Sequence, residues 1–179
     1  MSQTVASTSR RRKAPVLRAA VRGDVRKIHD LIQRNQQAGH LLPRQLSELT
    51  SRIDRFAVCV DGRGAIVACG ELAPLSSTVA EIRSLVVSEG HRREGLGRRI
   101  VEELRGRAIA AGFDDLCVFA HEPAYFAHMG FSIVPHTWLP EKIMADCRSC
   151  PLFRKCEQFA MVMDLEPAPD VRPNAQLHV

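Results

Sequence analysis

The chain has 179 residues, of which 45 % are hydrophobic and 25 % charged. That composition supports one packed domain and excludes a wholly disordered, collagen-like or coiled-coil chain. The formal net charge is +5, but Arg10, Arg11, Arg12 and Lys13 supply four of those charges; the rest of the chain is close to neutral, which argues against a nucleic-acid surface spread over the domain.

Residues 1–13 read as a flexible basic arm, 14–165 as one folded domain, and 166–179, with Pro167, Pro169 and Pro173, as a loose tail. The first fifteen residues hold Ser, Thr and Arg without an apolar run, so no secretory leader is expected. No apolar run approaches the ~18 residues of a membrane span. Six cysteines in that context, Cys59, Cys69, Cys117, Cys147, Cys150 and Cys156, predict thiols in a reducing cytoplasm.

Val16–Val21 is a short apolar run closed by Gly23, and Asp24 is the expected N-cap of a helix over 24–38 with Val25, Ile28, Leu31 and Ile32 on its inner stripe. Pro43 is placed in the first turn of a second helix that turns Leu46, Leu49 and Ile53 inward. Phe56–Val60 and Ala65–Leu72 are strands joined by the turn Asp61-Gly62-Arg63-Gly64, and Val79–Val87 follows as another strand. A loop over 88–97 leads to a helix, Arg98–Ala111, which buries Ile100, Leu104 and Ala108 and ends at Gly112. Leu116–Phe119 is a buried strand and Pro123–Met129 a short helix capped by Gly130. Phe131–Val134 and Phe159–Leu165 are the last strands. A strand, a long helix and a strand in that order predict a right-handed parallel crossover inside an otherwise antiparallel sheet.

The loop carries the chemistry. Gly95 and Gly97 follow a strand and open a helix, whose unpaired N–H groups and positive end suit a phosphate. Arg92, Arg93 and Arg98 add charge beside it. A Walker loop would need Lys where Leu96 stands, and a dinucleotide fingerprint would need Gly where Ile100 stands. What remains, Arg92-x-x-Gly95-x-Gly97, resembles the pyrophosphate loop of the GNAT acetyltransferase superfamily, and Gly130-Phe131 after the next strand agrees.

The resemblance implies an α/β (α+β) fold: a mixed, mostly antiparallel sheet of six to seven strands, splayed between its fourth and fifth strands, with about four flanking helices. It implies acetyl-CoA in the gap. Leu85, Val86 and Val87 would offer main-chain groups to the pantetheine. Arg92, Arg93, Glu94, Gly95, Leu96, Gly97 and Arg98 would hold the pyrophosphate, and Phe126 would flank the thioester arm. Glu81 through Val87, Tyr125-Phe126, Leu139-Pro140-Glu141-Lys142 and the earlier Leu41 and Arg44 are similar to the acetyltransferase domain of bacterial N-acetylglutamate synthases. Those enzymes acetylate the α-amine of glutamate in the first step of arginine biosynthesis, and the expectation here is a stand-alone synthase domain.

Glutamate brings two carboxylates, which guanidinium forks and ammonium groups suit. Arg44, Arg83, Lys142 and Arg154 are the candidates, with main-chain contacts from Leu41 and Ser84. Where the family has Arg-Lys-Ser near its C-terminus, this chain has Arg154-Lys155-Cys156. Glu81 is the candidate proton acceptor; alternation places it on one face with Arg83, and Ser84 on the other. Many family members place a tyrosine where Phe126 stands; Tyr125, one residue earlier, is retained as the candidate acid. Cys147-x-x-Cys150 with Cys156 has part of a zinc pattern, with His136 or Cys117 as a fourth ligand, and no metal is assigned. The expected partner is a small-molecule amino acid, not nucleic acid or membrane, and a homodimer is left open. L-Glutamine, another amine, and a non-catalytic acyl-CoA-binding regulatory module stay as alternatives.

Overall fold

A computed structural model describes residues 13–36, 41 and 43–165. The expected arm up to Arg12, the tail from 166, and residues 37–40 and 42, which include the end of the helix expected over 24–38, lie outside the described residues.

Among the described residues, seven strands form one sheet: β1 (Val16–Ala19), β2 (Phe56–Val60), β3 (Ile66–Pro74), β4 (Val79–Val87), β5 (Asp115–Ala120), β6 (Ser132–Val134) and β7 (Phe159–Asp164), in the spatial order β1-β2-β3-β4-β5-β7-β6. The first four run antiparallel in sequence, β4 and β5 are parallel, and β7 inserts antiparallel between β5 and β6. The α-helices among the described residues are α1 (Val25–Gln36), α2 (Leu46–Ser51), α3 (Leu96–Ala110), α4 (Pro123–Ala127) and α5 (Pro140–Ala145). The crossover between β4 and β5 is α3, as strand-helix-strand order requires.

Burial explains the layers. Ile66 through Ala73 of β3 are all buried, because both faces of this central strand are covered. On one face Ile100, Leu104 and Ala108 of α3 pack on Ala57, Ala68 and Ile82. On the other, Ile28, Leu31 and Ile32 of α1 and Leu49 of α2 pack on Phe56, Val58 and Cys69. Each large side chain removed from water in this way contributes about 1.5–3 kcal/mol.

Several sequence expectations are corrected. Asp24 does not cap α1: its carboxylate accepts the Val21 N–H at 2.9 Å and pairs with Arg18, so it closes the 3-10 turn Arg22–Asp24 that precedes the helix. Pro43 lies before α2, which starts three residues later; Leu49 faces inward, whereas Leu46 is exposed. Helix α3 begins at Leu96, two residues earlier than expected, because Gly95 in the left-handed region (φ 75°) already turns the chain into the helix. Glycine is the residue for which that conformation costs least. Helix α5 was not among the sequence-predicted elements.

Candidate active site

Strands β4 and β5 are joined through four register pairs, from Val79↔Asp115 to Ile82↔Val118. Beyond Ile82, β4 continues to Val87 while β5 ends at Ala120, and the two pair no further among the described residues. The sheet therefore opens as a wedge. A second irregularity lies on the β3 side of β4. Cys69 pairs with Val86 and Glu71 with Arg83, so β4 carries one extra residue there, and Ser84 takes a φ of 50°. The bulge cancels simple alternation. Ser84 turns its hydroxyl toward Arg44, which also grips Glu71, the register partner of Arg83. Ser84 thus joins the face of Glu81 and Arg83, contrary to the expectation from alternation.

The wedge leads to the N-terminus of α3. Gly95 is its N-cap and, among the described residues, no side chain caps the first turn, so the leading amides of α3 suit an outside acceptor. Arg92, Arg93, Glu94 and Arg98 are exposed around it, while Leu96 and Gly97 are buried. Arg93 also has positive φ (65°). Arg92 is steadied by Asn35 of α1 at 3.3 Å, and Arg98 by Glu102 at 2.8 Å. Gly97 lets the Tyr125 side chain approach: a Cβ there would collide with the Tyr125 hydroxyl, which would have to move aside, and come 3.5 Å from the Val87 methyl. Tyr125 therefore lies over the loop. Burial pushes its phenol up, with Arg98 opposing, so it stays a hydrogen-bond donor at neutral pH. Phe126, next to it, is buried in the core with its ring edge-to-face against both Tyr125 and Phe131. Leu85 and Val87 pack on the α3-side core, and Val86 faces α1.

The opposite part of the site is a ring of charge. Glu81, 3 % exposed, accepts from Arg83 Nε at 2.5 Å and from Lys142 Nζ at 2.7 Å. Asp146 accepts from Arg83 Nη2 and, at 3.0 Å, from Lys142 Nζ. Lys142 also stands 5.1 Å from the Phe119 ring centroid. Burial opposes the Arg83 charge, but Glu81 and Asp146 outweigh it and hold the guanidinium above its usual value. Beside the ring, Arg44 is committed to the protein. Its Nη2 meets the fully buried Glu71 at 2.7 Å, Nη1 donates to Ser84 Oγ at 2.7 Å, and Nε donates to Glu48 at 3.1 Å. Burial works against this charge as well, and Glu71 and Glu48 more than offset it.

Two buried atoms have no hydrogen-bond partner among the described residues: Glu71 Oε1 and His136 Nε2, the latter in a ring tilted 57° to that of Phe119 with centroids 5.5 Å apart. Leu41 packs against the α1-side core. Arg154 falls in the 3-10 turn Phe153–Lys155, and its side chain lies outside the described residues. The structure thus brings the predicted Glu81, Arg83 and Lys142 together with Asp146, and ties the predicted Arg44 to Glu71 and Glu48; sequence reasoning singled out none of those last three acids.

Burial pushes the Cys69 thiol up to about 12 and the Cys117 thiol up as well, so both are inert. Cys147 is raised by burial too, with Lys142 opposing. Among the described residues no group of three or more His, Cys, Asp or Glu is arranged to hold a metal ion, and no helix is long and apolar enough to cross a membrane.

The acetyltransferase (GNAT) family model matches residues 25–131. An uncharacterised N-acetyltransferase of Chlorobaculum tepidum is 32 % identical over 127 residues, which is 71 % of this chain and 81 % of that protein. An amino-acid acetyltransferase of Pseudomonas putida is 32 % identical over 119 residues, 65 % of this chain; the match spans 27 % of that relative's length. Among solved structures, the N-acetylglutamate synthase of Neisseria gonorrhoeae, complexed with coenzyme A and N-acetyl-glutamate, superposes with a TM-score of 0.76. It is 26 % identical, over 86 % of this chain and 36 % of that one.

Proposed function

The chain belongs to the GNAT acetyltransferase family and acts as an acetyl-CoA-dependent N-acetyltransferase, and we propose that the amine it acetylates is the α-amine of L-glutamate. The observation that carries the glutamate reading is the Arg83–Lys142 pair, held in a ring beside the open stretch of β4. Relatives that include amino-acid acetyltransferases support it.

The residues fit the coenzyme. The leading amides of α3, with Arg92, Arg93 and Arg98, form a basic nest for a diphosphate. Tyr125, over Gly97, adds a hydroxyl donor there. Residues 83–87 of β4 present main-chain groups to the wedge that β5 does not use, which suits the amides of a pantetheine arm. Bound acetyl-CoA supplies an acetyl thioester: an N–C bond forms as the C–S bond breaks, and the proton lost by the amine ends on the departing sulfur.

On the acceptor side, Arg83 and Lys142 bind carboxylate, with Ser84, Leu41 and Arg154 completing the contacts. Arg44 serves as a positioning residue, tying the Ser84 bulge to β3 through Glu71. Glu81 fixes both cations from inside the ring and is the carboxylate through which the amine's proton passes, directly or by water.

The test is an acetyl-transfer screen over the twenty amino acids, reading thiol release and the mass of the product. Glutamate is expected to turn over best, with glutamine its nearest competitor because the two differ only at the side-chain terminus. Efficient acetylation of a cationic or carboxylate-free amine, with glutamate unused, would overturn the assignment.

A further inference from the structure

Asp146 has no place in the motifs that led to the site, yet it sits on both of the cations that Glu81 holds, Arg83 and Lys142. We infer that Asp146 is a built-in stand-in for an acceptor carboxylate. It determines acceptor specificity by occupying Arg83 and Lys142 until a carboxylate on the incoming amine displaces it. The inference rests on reading the charge ring as the acceptor site.

Three observations converge. One Asp146 oxygen, Oδ2, accepts from Arg83 Nη2 and Lys142 Nζ together, the contact set that a ligand carboxylate would make. The burial is asymmetric: the side chains of Arg83, Lys142 and Glu81 are 17, 14 and 4 % exposed, whereas that of Asp146 is 37 % exposed. The exposed member of the ring is the replaceable one. Anchorage differs in the same sense. Glu81 is fixed in β4 between two strands, while Asp146 ends the six-residue helix α5 with non-helical dihedrals (φ −131°, ψ −44°), ahead of the 3-10 turn Cys147–Ser149.

Charge gives the stoichiometry. With Asp146 in place, two cations face two carboxylates and the ring is neutral. Once Asp146 swings out, one positive charge is uncompensated and one acceptor carboxylate restores neutrality. An amine without a carboxylate cannot make that exchange and leaves Asp146 where it is. The residue thus acts against wrong acceptors as much as for the right one.

Asp146→Asn keeps the shape and removes the charge. We expect its KM for carboxylate-bearing acceptors to fall about three- to tenfold with kcat retained, since the variant no longer competes for the cations. The KM for a carboxylate-free amine is expected to stay unchanged. Glutarate, which has two carboxylates and no amine, supplies a readout without turnover: calorimetry should show tighter binding to Asp146→Asn than to the wild type. Asp146→Ala is the second variant and should shift both quantities in the same direction. A purely structural Asp146 would instead raise KM for every acceptor or lower kcat, and that result overturns the inference. So does equal glutarate affinity in all three proteins, with the acceptor site itself intact. If glutarate binds none of them and no carboxylate-bearing amine is acetylated, the acceptor-site reading falls and the inference with it.

Discussion

Arg44→Ala separates a positioning arginine from a substrate-gripping one. The Arg44 side chain is 10 % exposed and that of Glu71 0 %, with 2.7 Å between Nη2 and Oε2. The other Glu71 oxygen already lacks a partner among the described residues. Removing the guanidinium leaves a carboxylate inside the core with neither oxygen neutralised, and it releases the bulge at Ser84. Breaking a buried pair by deleting one partner costs about 3–5 kcal/mol. In a chain of this size that corresponds to a fall in Tm of about 6–20 °C. Urea unfolding followed by circular dichroism reads the loss directly. Glu71→Gln added to Arg44→Ala should recover at least about 1.5 kcal/mol, because a buried neutral amide is cheaper than a buried charge. An Arg44→Ala cost below about 1 kcal/mol, or no recovery from Glu71→Gln, would refute the reasoning. A raised KM for glutamate with stability intact would return Arg44 to the set of direct substrate contacts.

Gly70→Ala should destabilise by about 1–3 kcal/mol, because the new methyl would lie 2.6 Å from Ile100 Cγ2 and 3.1 Å from Leu104 Cδ1. An alanine variant as stable as the wild type in urea would show that α3 floats on the sheet. The Asp24 carboxyl titrates below its usual 3.8 through the Arg18 hydrogen bond, with burial opposing. Its contribution is therefore complete above pH 3.8 and disappears as the pH falls through the lower folded value. Thermal midpoints of the wild type and Asp24→Asn should differ at pH 7 and converge in stronger acid; a gap that persists there would contradict the sign.

The strands were legible because their burial pattern is strong and their turns are chemically explicit. Asp61 in the β2–β3 turn accepts the amides of Arg63 and Ala65, as the Asp-Gly sequence suggested. Helix starts were less legible. Leu96 and Gly97 read as loop because glycine weakens helix propensity, yet tertiary packing under Tyr125 places both in the first turn of α3. The insertion of β7 between β5 and β6 leaves no periodic trace, since spatial order in a sheet is set by packing and not by pattern. In the site, Arg83 and Lys142 were found through motif resemblance. Glu71 does carry a readable signal: a lone acid within the apolar run from Ile66 to Ala73 demands a cationic partner once that run is a buried strand. Asp146 was hidden because its i,i+4 relation to Lys142 exists only once α5 is known.

The short seam between β4 and β5 has a thermodynamic consequence. Four rungs, the α3 crossover and the charge ring between β4 and α5 unite the β1–β4 and β5–β7 halves, so amide protons along this boundary should exchange with deuterium by partial opening, ahead of those on the inner rungs of β3. A coenzyme arm that pairs with β4 would act as a missing rung. At a hundredfold excess over its dissociation constant it would stabilise the native state by about 2.7 kcal/mol, and the slowing of exchange would be concentrated along that boundary.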